Sequence, residues 1–163
     1  MSRQQDVRSM SRPLPDRGIT TRGHMNTDRS EIVEDLNRLM AEELEAFLRY
    51  FQMKYRLRGV DRLAAEKLFD EGTRETLEHA ESIAKQIRVL GHIPQIKIEL
   101  ELRGGTANLQ DALAEMLEVE RQALDAYKEV LPRVTGDTML EDFIRKQISV
   151  ETEHVQEIAT LLE

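Results

Sequence analysis

The sequence predicts an all-α protein, an antiparallel four-helix bundle built from two helical hairpins that are joined by a long crossover. Its composition favours helices: 33% of the 163 residues are charged and 40% are hydrophobic, whereas 4% are aromatic, and there are 8 glycines and 4 prolines. Four long segments repeat apolar residues at helical spacing. The chain length suits one domain with a full core and is too short for two ordinary domains.

The ends of the predicted helices follow from capping and breaking residues. The helices run from Asp28 to Gly59, from Asp61 to Gly91, from near Asn108 to the residue before Pro132, and from Asp137 to the end of the chain. The first two helices, and likewise the last two, are separated by only a few residues, so each pair is predicted to form a hairpin. Apolar residues alternate within residues 92–107. A lone strand would have no partner there, and we expect an extended crossover that lies along the bundle.

Residues 1–29 differ from the rest of the chain. They carry six arginines, two prolines and no aromatic residue. This composition is typical of a disordered segment, so we expect a disordered N-terminal tail and a bundle domain over residues 30–163. A basic arm that binds DNA or a docking partner is the alternative interpretation of the tail.

Composition also restricts the chemistry that the protein can perform. There is no cysteine, which excludes disulfides, thiol catalysis and cysteine-ligated metal sites. The apolar runs are too short to span a membrane and no apolar h-region follows the start, so we expect a cytoplasmic protein. The net charge of -8 argues against a nucleic-acid surface and suits a protein that attracts cations.

Each predicted helix has an apolar stripe that is interrupted by carboxylate or imidazole side chains. These residues are Glu43 on the first helix, Glu75 and His79 on the second, Glu120 on the third, and Glu151 and His154 on the fourth. Their spacing from the apolar residues projects them towards the core. Burying a carboxylate without a partner costs several kcal/mol, so the set needs a compensating charge. Two metal ions would supply it, and oxygen and imidazole ligands suit iron or manganese, and zinc less exclusively.

The two halves of the chain form a degenerate repeat. The pattern Glu-x-x-Ala-x-x-x-Tyr occurs from Glu43 to Tyr50 and from Glu120 to Tyr127, and the pattern Glu-His-x-x-x-Ile-Ala occurs from Glu78 to Ala84 and from Glu153 to Ala159. Helix one thus corresponds to helix three, and helix two to helix four, as two equivalent half-sites would require. Tyr50 and Tyr127 are candidates to hydrogen-bond a bridging carboxylate or to relay an electron. Their simpler interpretation is as core aromatic residues.

Each element also has a simpler interpretation when it is taken alone. A Glu-x-x-His pair such as Glu151 and His154 occurs by chance on solvated helix faces, and a single Glu at the edge of a stripe can extend to water. The joint pattern on four helices, in this order and with this repeat, favours the metal-site interpretation. A bundle that has kept its fold and lost its metals is the main alternative.

Several motifs together carry a family resemblance. They are Leu36-Asn37-Arg38-Leu39-Met40-Ala41-Glu42-Glu43-Leu44 with Tyr50, Glu78-His79-Ala80-Glu81, Leu90-Gly91-His92-Ile93-Pro94, Leu117-Glu118-Val119-Glu120 and Glu151-Thr152-Glu153-His154. Over residues 28–163 they resemble the bacterioferritin and rubrerythrin branch of the ferritin-like superfamily.

The resemblance implies a site that binds two iron ions. By this resemblance, Glu43 is a terminal ligand of one ion and Glu120 of the other, Glu151 bridges both, and His79 and His154 each bind one. The resemblance also implies a ferroxidase that oxidises Fe(II) with dioxygen or hydrogen peroxide, for iron storage, detoxification or protection against oxidative stress.

Two departures from the family pattern affect the cofactors. The family has a Glu three residues before the histidine of helix two, where this chain has Thr76, and Glu75 lies four residues before His79 instead. Glu75 shares a helix face with His79 and is the predicted replacement, whereas Glu78 points off the stripe. Helix two also lacks a methionine where bacterioferritins place their haem ligand, which argues against haem.

Two other functions remain as alternatives at this stage. One is a binding protein like the DNA-protecting miniferritins, with the arginine-bearing tail as the DNA arm; the other is a metal-poor structural or interaction protein. We also expect a homodimer or a larger homo-oligomer, because Leu48, Phe51 and Tyr55 form a second apolar face on the first helix that one bundle core cannot bury.

Overall fold

The computed structural model describes the backbone of residues 21–163 and the side chains from Arg29 onward. Four helices make up most of this part of the chain: α1 Thr21–Arg56, α2 Gly59–Val89, α3 Leu109–Val130 and α4 Thr138–Leu161. A short 3-10 helix, Leu131–Arg133, follows α3. Residues 21–163 contain no strand. The predicted all-α class is therefore confirmed.

The helices form two hairpins and one crossover, as predicted. α1 packs mainly on α2, and α3 packs mainly on α4. The crossover has no regular secondary structure and runs along α1, where the backbone N–H of Gln95 donates to Asn37 Oδ1 at 2.8 Å and that of Ala107 donates to the carbonyl of Arg56 at 3.1 Å. None of the helices in the described residues is long and apolar enough to cross a membrane.

Side-chain caps begin the two helices of the second hairpin at the predicted positions. Asn108 Oδ1 accepts a hydrogen bond from the backbone N–H of Asp111 at 2.8 Å, at the start of α3. Asp137 Oδ1 accepts one from the N–H of Leu140 at 3.2 Å, at the start of α4. Each cap satisfies a donor that would otherwise lack a partner in the first helical turn.

The end of α2 also follows the predicted glycine signal. Gly91 adopts a φ of 87°, which a residue with a side chain rarely reaches, and the N–H of His92 donates back to the carbonyl of Ile87 at 3.1 Å. The start of α2 differs slightly from the prediction, because the helix begins at Gly59 rather than at Asp61.

The start of α1 is the main difference from the prediction. The helix begins at Thr21, seven residues before the predicted cap at Asp28, so residues 21–29 of the predicted tail are helical. The capping-box spacing of Asp28 and Glu31 is misleading here, because two residues three apart are equally compatible with a helix interior. Residues 1–20, and with them most of the predicted tail, lie outside the described residues.

The core consists of two apolar clusters that are separated along the bundle. One contains Leu36, Ile83 and Ile144, and the other contains Phe69 and Ile158. Full burial of a side chain of this size contributes about 1.5–3 kcal/mol to stability. The clusters hold the four helices in register, and the buried glutamates Glu43, Glu120 and Glu151 lie between them.

Candidate metal centre

The predicted ligand residues meet in a polar layer between the two apolar clusters. Glu43, Glu120 and Glu151 are between 1% and 4% exposed. The side chains of His79 and His154 are 14% and 21% exposed. Buried residues precede or follow each of them at a spacing of three or four, and this periodicity turns all five towards the bundle axis.

Glu151 lies between the two histidines and contacts both. Its Oε1 is 2.9 Å from His79 Nδ1, and its Oε2 is 3.6 Å from His154 Nδ1. Each histidine also lies close to one further carboxylate: Glu43 Oε1 is 3.5 Å from His79 Nδ1, and Glu120 Oε2 is 3.4 Å from His154 Nδ1. The result is two groups of three potential ligands that share Glu151. The first group is Glu43, His79 and Glu151, and the second group is Glu120, Glu151 and His154. Within each group the ligand atoms lie within 4.8 Å of one another.

The two tyrosines of the repeat connect α1 and α3 through hydrogen bonds to glutamates of the centre. Tyr127 on α3 donates a hydrogen bond of 2.6 Å to Glu43 Oε1 on α1, and Tyr50 on α1 donates one to Glu120 Oε1 on α3. The tyrosines therefore hold Glu43 and Glu120, and not the bridging candidate Glu151 as one of the sequence hypotheses had it. Because α1 and α3 pack against each other, each tyrosine reaches the glutamate of the neighbouring helix.

The buried charges shift one another's pKa values. Burial raises the pKa of Glu43 above its usual value and that of Glu120 to about 7. Burial alone would also raise the pKa of Glu151, but the nearby imidazoles of His154 and His79 lower it to about 2. Contacts with Glu120 and Glu151 raise the pKa of His154 to about 11. Burial alone would lower the pKa of His79, but contacts with Glu151 and Glu43 raise it to about 10.

Two ligand atoms in the first group have no hydrogen-bond partner although they are buried. These atoms are His79 Nδ1 and Glu151 Oε1, which lie close together without the alignment of a hydrogen bond. Buried polar atoms without partners are rare in folded proteins. A cation coordinated by both would satisfy them, and a mixed carboxylate and imidazole set fits iron, manganese or zinc.

The structure separates the roles of Thr76 and Glu75. The hydroxyl of Thr76 is buried and donates to backbone carbonyls of its own helix, with Gly72 O at 3.0 Å and Thr73 O at 3.2 Å. Glu75 approaches the second group, with its Oε2 at 3.4 Å from His154 Nε2. Glu75 thus meets the ring nitrogen of His154 opposite to the one that faces Glu120 and Glu151, and it lies outside both groups of potential ligands. Arg74 also contacts Glu75 at 3.4 Å.

The sequence reasoning missed Gln147, which is 5% exposed and lies next to the centre. Burial raises the pKa of Tyr127 well above its usual value, and a contact with Gln147 partly opposes this rise. Gln147 Nε2 has no well-aligned hydrogen-bond partner. The spacing of four residues to Glu151, on the same face of α4, was the signal that could have identified it.

Comparisons with known proteins agree with this architecture. A ferritin-like diiron-carboxylate protein from Bacillus anthracis str. Ames has a TM-score of 0.74 and 24% identity, over 83% of this chain and 98% of its own. A Dps protein from Bacillus brevis has a TM-score of 0.77 and 14% identity, over 84% and 98%. The bacterioferritin of Desulfovibrio desulfuricans has a TM-score of 0.70 and 20% identity, over 83% and 80%.

A family profile, unlike these structural similarities, assigns the chain to a family. None of the curated protein sequences matches this chain. The profile of the ferritin-like domain matches residues 33–163, which include every candidate ligand. The chain belongs to the ferritin-like domain family.

Proposed function

We propose that this protein binds two iron ions and oxidises Fe(II) with dioxygen or hydrogen peroxide, in iron storage, detoxification or protection against oxidative stress. The observation that carries the proposal is the position of Glu151, whose two oxygen atoms face two different histidines. One carboxylate shared by two such groups is an arrangement suited to a pair of ions. The similar structures include a diiron-carboxylate protein and a bacterioferritin with a diiron site, which supports iron as the metal.

The side chains of the centre have distinct tasks in this proposal. Glu43 and Glu120 bind one ion each from the outside, and the hydrogen bonds from Tyr127 and Tyr50 fix their orientation. Glu151 would be shared by the two ions and would neutralise part of their charge. When iron is bound, it supplies the electrons for the oxidant. Two Fe(II) ions, as substrate, would give up one electron each; with two protons these electrons would reduce hydrogen peroxide to two waters, or dioxygen to hydrogen peroxide.

The replacement of Glu43 or Glu120 by alanine tests the proposal. We expect either variant to bind one ion instead of two and to oxidise Fe(II) about 100-fold more slowly or worse, because each loses a ligand rather than a supporting contact. Anaerobic Fe(II) titration gives the stoichiometry, and Fe(III) absorbance after the addition of oxidant gives the rate. Glu118→Ala is the matched control, since Glu118 is exposed on the same helix as Glu120. Wild-type rates in both ligand variants would refute a ferroxidase at this centre.

The alternatives make different predictions. A DNA-protecting protein would retard DNA in a gel at low salt, whereas we expect no retardation because the chain is acidic and the candidate ligands lie within one chain. A metal-poor interaction protein would hold substoichiometric iron, manganese and zinc after reconstitution. We expect close to two ions for each chain, which elemental analysis can measure.

We further propose that the protein assembles at least as a homodimer through the exposed aromatic face of α1. Phe51 and Tyr55 are 53% and 59% exposed, and the Phe51 ring lies 6.4 Å from that of Phe47 and 5.4 Å from that of Tyr55. Exposed aromatic surface of this kind is costly in water and favours association.

The variant Phe51→Glu tests this assembly. A buried charge in an apolar interface is strongly unfavourable, so we expect the variant to shift the protein to monomers. Size-exclusion chromatography with light scattering measures the mass, and Val89→Glu, at an exposed apolar position at the other end of α2, is the control. An unchanged mass for Phe51→Glu would exclude this face as the interface.

A further inference from the structure

His154 has carboxylates on both sides of its ring. Its Nδ1 faces the centre, with Glu120 Oε2 at 3.4 Å and Glu151 Oε2 at 3.6 Å. Its Nε2, on the opposite side of the ring, has Glu75 Oε2 at 3.4 Å. We propose that Glu75 is a positioning residue that holds the ring of His154 through Nε2, so that Nδ1 is directed at the metal. The inference rests on the proposed function, because it concerns a ligand of the same centre.

The contact between His154 and Glu75 matches the needs of an imidazole ligand. A neutral imidazole that binds a metal through one nitrogen carries its proton on the other. With the metal on Nδ1, the N–H at Nε2 points towards Glu75. A carboxylate in that position accepts the hydrogen bond, fixes the tautomer and the ring orientation, and makes the ligating nitrogen more basic. The χ2 torsion of histidine is otherwise broad, so a ring without such a partner is free to turn Nδ1 away from the metal.

The other oxygen of Glu75 has a partner of its own. Glu75 Oε1 lies 3.4 Å from Arg74 Nη2, while Oε2 contacts His154. Contacts at both oxygens restrict the rotamers of the glutamate. A carboxylate that is itself held in place orients a metal ligand more firmly than a mobile one.

The internal repeat explains why Glu75 lies beside a ligand rather than among the ligands. Residues 153–159 repeat the pattern of residues 78–84, so each residue of α4 corresponds to the residue of α2 that lies 75 positions earlier. The corresponding pairs are Glu75 with Val150 and Thr76 with Glu151. The carboxylate of α2 thus comes one residue earlier, and one residue turns a side chain by about 100° around a helix. Thr76, at 6% exposure, takes the core-facing position, whereas the side chain of Glu75 is 30% exposed.

His79 provides an internal reference for this arrangement. The rings of His79 and His154 lie 6.1 Å apart and nearly parallel, at 12°. In the described part of the chain, the carboxylates near His79 are those of Glu43 and Glu151, and both face its Nδ1. The counterpart of Glu75 on α4 is a valine, which accepts no hydrogen bond.

NMR of the zinc-loaded protein tests the inference without any measurement of oxidation. Zn²⁺ is diamagnetic, and long-range proton–nitrogen correlations identify the metal-bound and the protonated nitrogen of each imidazole. We expect His154 to bind zinc through Nδ1 and to carry on Nε2 a proton that resonates downfield and exchanges slowly with water, because its acceptor is charged. Glu75→Val should shift this resonance upfield and speed the exchange, while the signals of His79 stay unchanged.

Three variants on α2 separate orientation from ligation and from charge. Glu75→Val should weaken the binding of one of the two zinc ions about tenfold or more, as measured by calorimetry. Glu75→Gln keeps an oxygen that accepts the hydrogen bond, so we expect it to retain most of the affinity and the protonated Nε2. Glu78→Val removes the same charge beside the same arginine, since Glu78 is 61% exposed and contacts Arg74 at 3.1 Å, and should match the wild type.

The possible results distinguish the inference from the proposed function. Zinc bound through Nε2 of His154, or equal losses of affinity in Glu75→Val and Glu78→Val, would overturn the positioning role and leave the metal centre intact. A Glu75→Gln protein that loses as much affinity as Glu75→Val would identify Glu75 as a ligand and also overturn it. Zinc on Nδ1, with an Nε2 proton that depends on Glu75, would establish the role whatever the rate of Fe(II) oxidation.

Discussion

Replacement of Glu151 by glutamine is expected to remove both metal ions from the centre, whereas each replacement of Glu43 or Glu120 removes one. Glu151 is the residue that contacts both histidines, with distances of 2.9 Å to His79 and 3.6 Å to His154. A glutamine keeps one oxygen, loses the charge and turns an amide group towards one of the ions. We expect each ion to bind about 100-fold more weakly or worse. Elemental analysis after gel filtration measures the loss.

The same substitution should destabilise the metal-free protein. The pKa of Glu151 is lowered from 4.5 to about 2, so the stability that it contributes is present above pH 4.5 and is lost as the pH falls towards 2. Loss of one partner from a buried ion pair costs roughly 3–5 kcal/mol, and we expect a lower melting temperature at pH 7. Glu153→Gln, an exposed neighbour on α4, is the control. A Glu151→Gln protein that has the melting temperature of the wild type and still binds two ions would contradict the role of Glu151 as a ligand shared by both ions.

Metal affinity should rise steeply with pH. In the metal-free centre the pKa of His79 is about 10 and that of His154 about 11, so at neutral pH both imidazoles carry a proton that an ion must displace. One displaced proton changes the affinity about tenfold per pH unit. Glu120, with its pKa raised to about 7, adds a second proton at its half-site below pH 7, so there the dependence approaches about 100-fold per unit.

Calorimetric titration with Zn²⁺ from pH 6 to 8 measures this dependence. Repetition in buffers with different ionisation enthalpies counts the released protons directly, and the count should agree with the slope. Without metal the trend in stability is opposite: the contribution of the two histidines is fully present below pH 6.5 and is lost as the pH rises through about 10 to 11. An affinity that does not change with pH would show that the histidines are not the ligands.

Much of the fold could be predicted because its signals are local. Asn108 and Asp137 cap helices where the sequence places them, and Gly91 ends α2 because a positive φ costs glycine little. The crossover was predictable from length and from the lack of a strand partner. The start of α1 was not, since Asp28 and Glu31 fit a cap and a helix interior equally well.

The candidate ligands were also visible in the sequence, because helical periodicity fixes the face on which each side chain lies. Glu43, His79, Glu120, Glu151 and His154 interrupt apolar stripes, and burial of an unpaired charge is too costly to be incidental. The sequence could not show which atoms meet. Distances between helices depend on packing across residues that are far apart in the chain.

The sequence by itself determined the four helices, the two hairpins and the faces that carry the carboxylates and histidines, since these follow from the spacing of neighbouring residues. Tertiary structure alone decided that Glu151 lies between both histidines, that Tyr50 and Tyr127 hold the opposite glutamates, and that the hydroxyl of Thr76 binds its own helix. It also decided that a cavity between α2 and α4 reaches Glu120 and His154. The repeat makes the two halves similar in sequence, but contacts between helices depend on the packing of residues that lie far apart in the chain.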